Sequence, residues 1–185
     1  MDPVTRSAAR TATFIAVPLA LLVVGISVLL YGSSSPPETP TPPASPGTAG
    51  SGAVEMSAPM LSGEAVSVCQ QVVSHLPDKV VGMARRAVSA GDEQNAAFGE
   101  PPITLACGTA QPTVPPMADV FPLSGVCWYA QPGTGGTQWT TVDRTVPVTV
   151  WVPGASDGSA QSVVGFSPAV AAGDPPRDAI PSGCR

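Results

Sequence analysis

Residues 126–152 read VCWYAQPGTGGTQWTTVDRTVPVTVWV, and three short runs within them are rich in valine, threonine and aromatic side chains. Such runs, bounded by glycine and proline, are typical of β-strands. The runs are Val126–Tyr129, Gln138–Arg144 and Val146–Val152, and the glycine-rich stretch 133–136 predicts a turn after the first of them. We therefore expect an antiparallel three-stranded meander in this part of the chain.

The last run also predicts where its side chains point. A valine occupies every second position, while Pro147, Thr149 and Trp151 lie between the valines. Because successive side chains of a strand point to opposite faces, the valines share one face and the other three residues share the second face. Pro147 has no amide hydrogen for a ladder, so we expect an edge strand or a bulge at this position.

The surrounding sequence predicts one further strand and two helices. Ile103–Cys107 alternates apolar and smaller side chains and follows two prolines. After Ser62, a possible N-cap, apolar residues recur every three or four positions until Pro77, which ends the helix. A second, short helix is expected at Phe166–Ala172. The fold class predicted for residues 63–185 is therefore α+β, a small disulfide-stapled domain with an amphipathic helix packed on the antiparallel β-meander.

All four cysteines lie in this region, and we expect them to form two disulfides. The spacings contain no CxxC pair and His75 is the only histidine, so a zinc site or a catalytic thiol is the less favoured alternative. Cys107 and Cys127 lie in short strands that can be neighbours, which favours a Cys107–Cys127 bond. Cys69 would then join Cys184 and tie the tail to the helix, although four cysteines allow two other pairings.

A long apolar segment precedes the domain. Residues 12–32 carry no charged side chain, and twenty helical residues span roughly 30 Å, the thickness of the bilayer core. Arg6 and Arg10 precede the segment, and no Lys or Arg follows it until Lys79, which places residues 1–11 in the cytoplasm. We expect a single-pass helix that anchors the chain in the lipid bilayer of the plasma membrane. A cleaved signal peptide is the alternative.

Residues 33–62 interleave seven prolines with Ser, Thr, Gly and Ala. This composition predicts a disordered Pro/Ser/Gly-rich linker, because few large apolar side chains are available for a core. The predicted organisation is a cytoplasmic tail at residues 1–11, a transmembrane helix at 12–32, the linker at 33–62 and an extracytoplasmic domain at 63–185.

The charge of the chain limits the kinds of partner that it can bind. The 185 residues include 8 basic and 13 acidic side chains, a net charge of -5, which argues against nucleic acid as a partner. Only 11% of the residues are charged, well below the roughly 25% of ordinary soluble domains. We therefore expect contacts through apolar and aromatic side chains.

The sequence contains no recognisable catalytic, cofactor-binding or metal-binding motif. His75 lies at the predicted helix end, where a surface role is the simplest interpretation, and no spacing singles out a carboxylate pair for glycoside hydrolysis. Gly133–Gly136 lacks the lysine and the helix of a phosphate-binding loop.

The tryptophans suggest a possible recognition surface. If two of them meet across strands, Trp139 and Trp151 would line a shallow aromatic strip with Arg144 nearby. The alternative is that the tryptophans cover the second side of a thin sheet against the helix or the prolines.

Two stretches and the C-terminus resemble the signatures of a known family. Residues 97–108, AFGEPPITLACG, resemble an aromatic-Gly-acid-Pro-Pro-Ile-x-Leu-x-Cys-Gly pattern, and residues 140–153, TTVDRTVPVTVWVP, resemble a second one. Together with the terminal Cys184-Arg185 they are similar to the actinobacterial domain of unknown function 3515. The resemblance implies an uncharacterised envelope protein with an N-terminal membrane segment or lipoprotein signal. Since this chain has no lipobox cysteine, the helix at 12–32 would be its anchor.

These observations predict a membrane-anchored extracytoplasmic protein of the cell envelope. We expect a non-catalytic interaction domain that contacts a cell-wall glycan or another envelope protein, without a cofactor. An envelope hydrolase using carboxylate chemistry is the alternative, so the question of enzymatic activity stays open at this point.

Overall fold

A computed structural model of the chain describes residues 52–184. The predicted cytoplasmic tail, the predicted transmembrane helix at 12–32 and the linker up to residue 51 lie outside the described residues. Within residues 52–184, no helix combines the length and the apolar character that crossing a membrane would require.

The described residues form an α+β domain in which the helices and the strands share one hydrophobic core. Its helices are α1 (Glu64–Ser74), α2 (Ser159–Val164) and α3 (Ser167–Gly173), with a 3-10 turn at Ser182–Cys184. Its strands are β1 (Lys79–Val80), β2 (Met83–Arg86), β3 (Asn95–Phe98), β4 (Ile103–Cys107), β5 (Val120–Leu123), β6 (Val126–Gly133), β7 (Gly136–Thr141) and β8 (Val148–Pro153).

The strands form one eight-stranded antiparallel sheet in the order β1-β2-β3-β4-β8-β7-β6-β5. The predicted meander is confirmed as β6-β7-β8, with the tight turn between Gly133 and Gly136. The expectation of an edge strand at Pro147 is wrong, because β8 lies between β4 and β7. Pro147 precedes the first residue of β8, and its carbonyl accepts hydrogen bonds from the amides of Gly108 and Thr109.

The valine face of β8 and the apolar stripe of α1 meet in the core. Val148 and Val150 are fully buried, as are Cys69 and Val72 of α1. α1 begins directly after Gly63 without a side-chain cap, so the predicted cap at Ser62 is not formed. α3 approaches α1 so closely that a Cβ added to Gly173 would lie 2.5 Å from the backbone nitrogen of Val72. The amphipathic helix is therefore confirmed and shares one core with the sheet, but its closest partner is α3, where a glycine permits the contact, and not the meander on which it was expected to pack.

Two buried tryptophans hold the later helices on the same face of the sheet. The indole Nε1 of Trp128 donates to Oγ of Ser167, the first residue of α3, at 3.0 Å. The Nε1 of Trp139 donates to Oγ of Ser159, the first residue of α2, at 3.2 Å. A buried indole N–H needs such a partner, and these bonds join the first residue of each helix to the sheet.

The structure contains two disulfides, but not the predicted pairs. Cys69 is bonded to Cys107, and Cys127 is bonded to Cys184. A Cys107–Cys127 bond is impossible because β8 and β7 separate β4 from β6 in the sheet. The first bond instead joins α1 to β4, and the second joins the C-terminal tail to β6.

The folded domain begins before the predicted boundary at residue 63. Val54 forms a bridge with Val88, and the Nη2 of Arg86 donates to the carbonyl of Gly52 at 2.9 Å. The side-chain amide of Asn95 donates to the carbonyl of Ser57 at 2.9 Å. Residues 52–62, assigned from composition to the linker, are thus hydrogen-bonded to the domain near β2 and β3.

The turn between β1 and β2 contains an unfavourable residue. Val80 pairs with Met83, so Val81 and Gly82 form a two-residue hairpin loop with φ of 50° and 79°. Two positive φ values are typical of a type I′ turn, which favours Asn-Gly, whereas a β-branched residue is strained there. Val81 is 56% exposed, so its side chain gains little from packing in return.

We expect the substitution Val81→Asn to increase the free energy of unfolding by about 1 kcal/mol, because asparagine tolerates the left-handed conformation. The measurement is a urea unfolding curve of the wild-type chain and the variant. Val81→Ala is the matched control, since it shortens the same side chain without supplying asparagine's tolerance of positive φ. An asparagine variant no more stable than the alanine variant would contradict this interpretation of the turn.

Candidate binding groove

The two tryptophans of the predicted recognition surface lie on opposite faces of the sheet. Trp139 pairs with Val150 and Gln138 pairs with Trp151, and directly opposed residues of antiparallel strands share a face. Trp139 is therefore in the core with the valines and is only 4% exposed. The indole ring of Trp151 covers Gly133 and Gly136 on the other face. The structure does not bring Trp139 and Trp151 together.

Arg144 is buried and holds the C-terminal segment in place. Its Nε lies 3.4 Å from Oδ1 of Asp143, and its Nη1 donates to the carbonyl of Asp174 at 3.1 Å. Its Nη2 donates to the carbonyl of Gly125 in the β5-β6 turn. With 5% of its surface exposed, Arg144 is not available as the third member of a recognition surface.

Asp174 shares this buried environment. Its Oδ1 accepts a hydrogen bond from the amide of Val146 at 3.3 Å, and the residue is 1% exposed. Burial, partly offset by that hydrogen bond and by the nearby Arg144 guanidinium, raises the pKa of Asp174 from 3.8 to about 6. Such a shift marks a desolvated carboxyl group whose charged form is poorly compensated.

His75 lies at the exposed end of α1, as predicted from sequence. Its Nδ1 lies 2.7 Å from the carbonyl oxygen of Gln71, so this nitrogen carries the hydrogen and donates it. It therefore cannot act as a base toward Ser74, whose hydroxyl donates to the same carbonyl at 2.8 Å. Among residues 52–184, no group of three or more His, Cys, Asp or Glu side chains is placed to hold a metal ion.

A groove with aromatic walls lies between the edge strand β5 and the start of α2. We name it the aromatic groove; its volume is about 580 Å³. It is lined by residues of β5, β6, β7 and the segment that leads into α2: Ala118, Asp119, Phe121, Tyr129, Ala130, Pro132, Thr137, Trp139, Ser156, Asp157, Gly158, Ser159 and Ala160.

Two aromatic rings form the apolar side of this groove. Phe121 and Trp139 make an edge-to-face contact, with ring centroids 5.3 Å apart and planes at 63°. Trp139 is fixed by its hydrogen bond to Ser159, whereas Phe121 is 37% exposed. The buried ring therefore packs against the exposed one, which adds an apolar surface to the groove.

The polar groups of the groove are a hydroxyl and two carboxylates. The Oγ1 of Thr137 is buried and has no hydrogen-bond partner, although the residue lines the groove. Asp119 and Asp157 are exposed and line the same groove. Because no Lys, Arg or His is among the lining residues, the groove carries negative charge.

Among the lining residues, only Trp139 is predicted from sequence to take part in recognition. The sequence pairs it with Trp151, whereas the structure places it against Phe121. Phe121 was missed because VFPL contains a proline and lacks alternation, yet it forms the edge strand β5. Asp157 and Ser159 were missed because the stretch GASDGSA is typical of a loop, and only the tertiary fold brings it to β7. The signal available in the sequence was the isolated Phe121 beside Asp119 in an otherwise proline-rich stretch.

Comparison with known proteins identifies the family of the chain. A family model described as "Protein of unknown function (DUF3515)" matches residues 15–178. This match confirms the family that the signatures resemble. No curated protein and no solved structure matches the chain.

The raised pKa of Asp174 predicts the pH dependence of stability. Between its unfolded pKa near 3.8 and its folded pKa of about 6, the folded state binds more protons than the unfolded state, so stability falls as pH rises through this window. The total loss should be about 3 kcal/mol, and Asp174→Asn should remove it. The measurement is urea unfolding of both chains across the window.

The matched control is Asp178→Asn, because Asp178 is an exposed carboxylate only four positions away. Its unfolding free energy should follow the wild-type pH profile. A wild-type minus Asp174→Asn difference that stays constant across the window would show that Asp174 does not titrate in this way.

Proposed function

The chain belongs to the DUF3515 family, whose description gives no activity, and from this premise we propose that it is a membrane-anchored extracytoplasmic domain of the cell envelope that binds its ligand without transforming it. Residues 12–32 serve as the anchor in this proposal, and the domain at 52–184 carries the binding site. The observation that carries the binding function is the aromatic groove.

The disulfides support the extracytoplasmic location. All four cysteines are paired, and the two bonds join separate elements of the fold. Disulfides persist in oxidising compartments outside the cytoplasm and are rare in the reducing cytosol. The positive charges before residue 12 and the apolar segment that follows are consistent with the same orientation.

The composition of the groove supports binding. Ligand sites are typically concave, lined by aromatic and apolar side chains, and supplied with a few convergent polar groups. The rings of Phe121 and Trp139, the unpartnered hydroxyl of Thr137 and the carboxylates of Asp119 and Asp157 fit this description. A cell-wall glycan or another envelope protein is the proposed partner.

The edge strand β5 makes a glycan a more favourable partner than a protein that would pair with the sheet as an additional strand. β5 ends the sheet, and Pro122 lies within its four residues. Proline on an edge strand obstructs pairing with another chain. A partner at this end of the domain is therefore more favourably bound through the groove than through the strand edge.

A carboxylate hydrolase remains the second candidate because of one observation. Asp119 and Asp157 line the same groove, and glycoside hydrolysis uses two carboxyl groups on either side of the bond. Both are exposed, however, whereas a general acid usually occupies an apolar, desolvated site. This difference favours binding over catalysis.

The location is tested with tags on both ends of the full chain. In spheroplasts, external protease should remove the C-terminal tag and leave the N-terminal tag intact in the membrane fraction, because only the domain after residue 32 is outside. A chain that loses its N-terminal tag and enters the medium indicates a cleaved signal peptide. Full protection of both tags would contradict the extracytoplasmic location.

Binding is tested by titrating soluble cell-wall fragments into the full chain while following tryptophan fluorescence, since Trp139 lines the groove. We expect a saturable change that is lost in Phe121→Ala and kept in Asp178→Asn, with fragments of unchanged mass afterwards. Shortened fragments in the wild type but not in Asp119→Asn would favour the hydrolase. No fluorescence change at millimolar fragment would contradict binding at the groove.

A further inference from the structure

We propose that the aromatic groove binds a sugar ring that carries a protonated amine, with the ring on Phe121 and the amine between Asp119 and Asp157. This inference rests on the proposed binding function and specifies its ligand class. It is derived from three features of the groove: its charge, its exposed aromatic ring and the unpartnered hydroxyl of Thr137.

The charge of the groove selects a cation. Two carboxylates line it and no basic side chain compensates them, so an anionic ligand would be repelled. An ammonium group gains charge-assisted hydrogen bonds from carboxylates and is attracted to the face of an aromatic ring. The two carboxylates therefore favour a ligand that carries an ammonium group.

The aromatic pair adds an apolar surface to the groove. Phe121 is partly exposed, and Trp139 supports it at a centroid distance of 5.3 Å while being held by Ser159. The exposed ring of Phe121 suits a ligand with an apolar face. A sugar ring offers such a face through its C–H groups and carries polar groups around its rim.

Thr137 distinguishes a sugar from a simple alkylamine. It lies two residues before Trp139 on β7 and is 2% exposed, and its Oγ1 has no partner. A buried hydroxyl without a partner is unfavourable, and so it points to a ligand hydroxyl that completes the bond. Because Oγ1 is buried in the free protein, the proposal requires it to turn toward the groove by rotation about χ1 when the sugar binds. An alkylamine has no hydroxyl group to meet it.

The ligand class is tested by titrating the full chain with glucosamine, N-acetylglucosamine and glucose, at a mildly acidic pH that keeps the amine protonated. These sugars share one ring and differ at a single substituent. We expect glucosamine to bind about tenfold more tightly than the other two, and its affinity to fall with added salt. Equal affinities for the three sugars, or no binding, would overturn the cationic ligand.

n-Butylammonium provides the second arm, because it keeps the charge without the ring or the hydroxyls. We expect it to bind at least about fivefold more weakly than glucosamine. An equal affinity would overturn the sugar and leave a groove that binds amines, so the proposed binding function would stand. The tag experiment on location is independent of both outcomes.

The variants assign the contacts. Asp119→Asn and Asp157→Asn should each weaken glucosamine binding about threefold to tenfold at low salt, whereas Asp178→Asn should not. Phe121→Leu keeps an apolar side chain of similar size and should weaken binding by removing the ring. If the asparagine variants bind glucosamine like the wild type, the proposed amine position is wrong.

Thr137→Val removes the hydroxyl and keeps the shape of the side chain. We expect an unchanged or higher unfolding midpoint, since an unpartnered buried hydroxyl is lost, together with weaker glucosamine binding. A lower midpoint would mean that the hydroxyl already has a partner in the free protein. Unchanged glucosamine affinity would show that Thr137 takes no part in binding; either result overturns its proposed role.

Discussion

The register of β7 against β8 determines which side chains are in the core and which are at the surface. Trp139 lies opposite Val150, so its ring joins the valine face, and Trp151 moves to the other face. A shift by one residue would exchange the two faces of the whole strand. The same register places Thr137 on the core face beside Trp139, where the two can contribute to one groove with Phe121.

A second constraint acts on the end of the chain. The guanidinium of Arg144 contacts the side chain of Asp143 and the carbonyls of Gly125 and Asp174, and so joins the β5-β6 turn to the segment after α3. The Cys127–Cys184 bond joins the same segment to β6 by a covalent link. Removing one partner of such a buried ion pair usually destabilises the fold, whereas replacing the whole pair by well-packed apolar residues is often neutral. The tail is therefore held at two points, by the polar contacts of Arg144 and by the disulfide bond. Both points lie close to the edge strand β5.

The sequence predicted the parts of the fold that local pattern determines. The helix at 64–74, the strand at 103–107 and the meander are confirmed, because their periodicity and turn residues agree with their environment. Short strands such as β1, β2 and β5 were missed, since two to four residues hold no periodic signal. The disulfide pairs and the tryptophan faces depend on strand order and register. Those are long-range properties that a single sequence does not encode locally, and the groove depends on both.

The position of the first described residues has a consequence for how the domain reaches its surroundings. Residues 52–57 are hydrogen-bonded to the chain in and just after β2, whereas the groove opens beside β5. Six strand spacings of about 4.8 Å separate these strands, roughly 29 Å along the sheet. The described residues therefore begin at one border of the sheet, and the groove lies at the opposite border. A force applied at residue 52 would therefore act beside β2, across the width of the sheet from the groove.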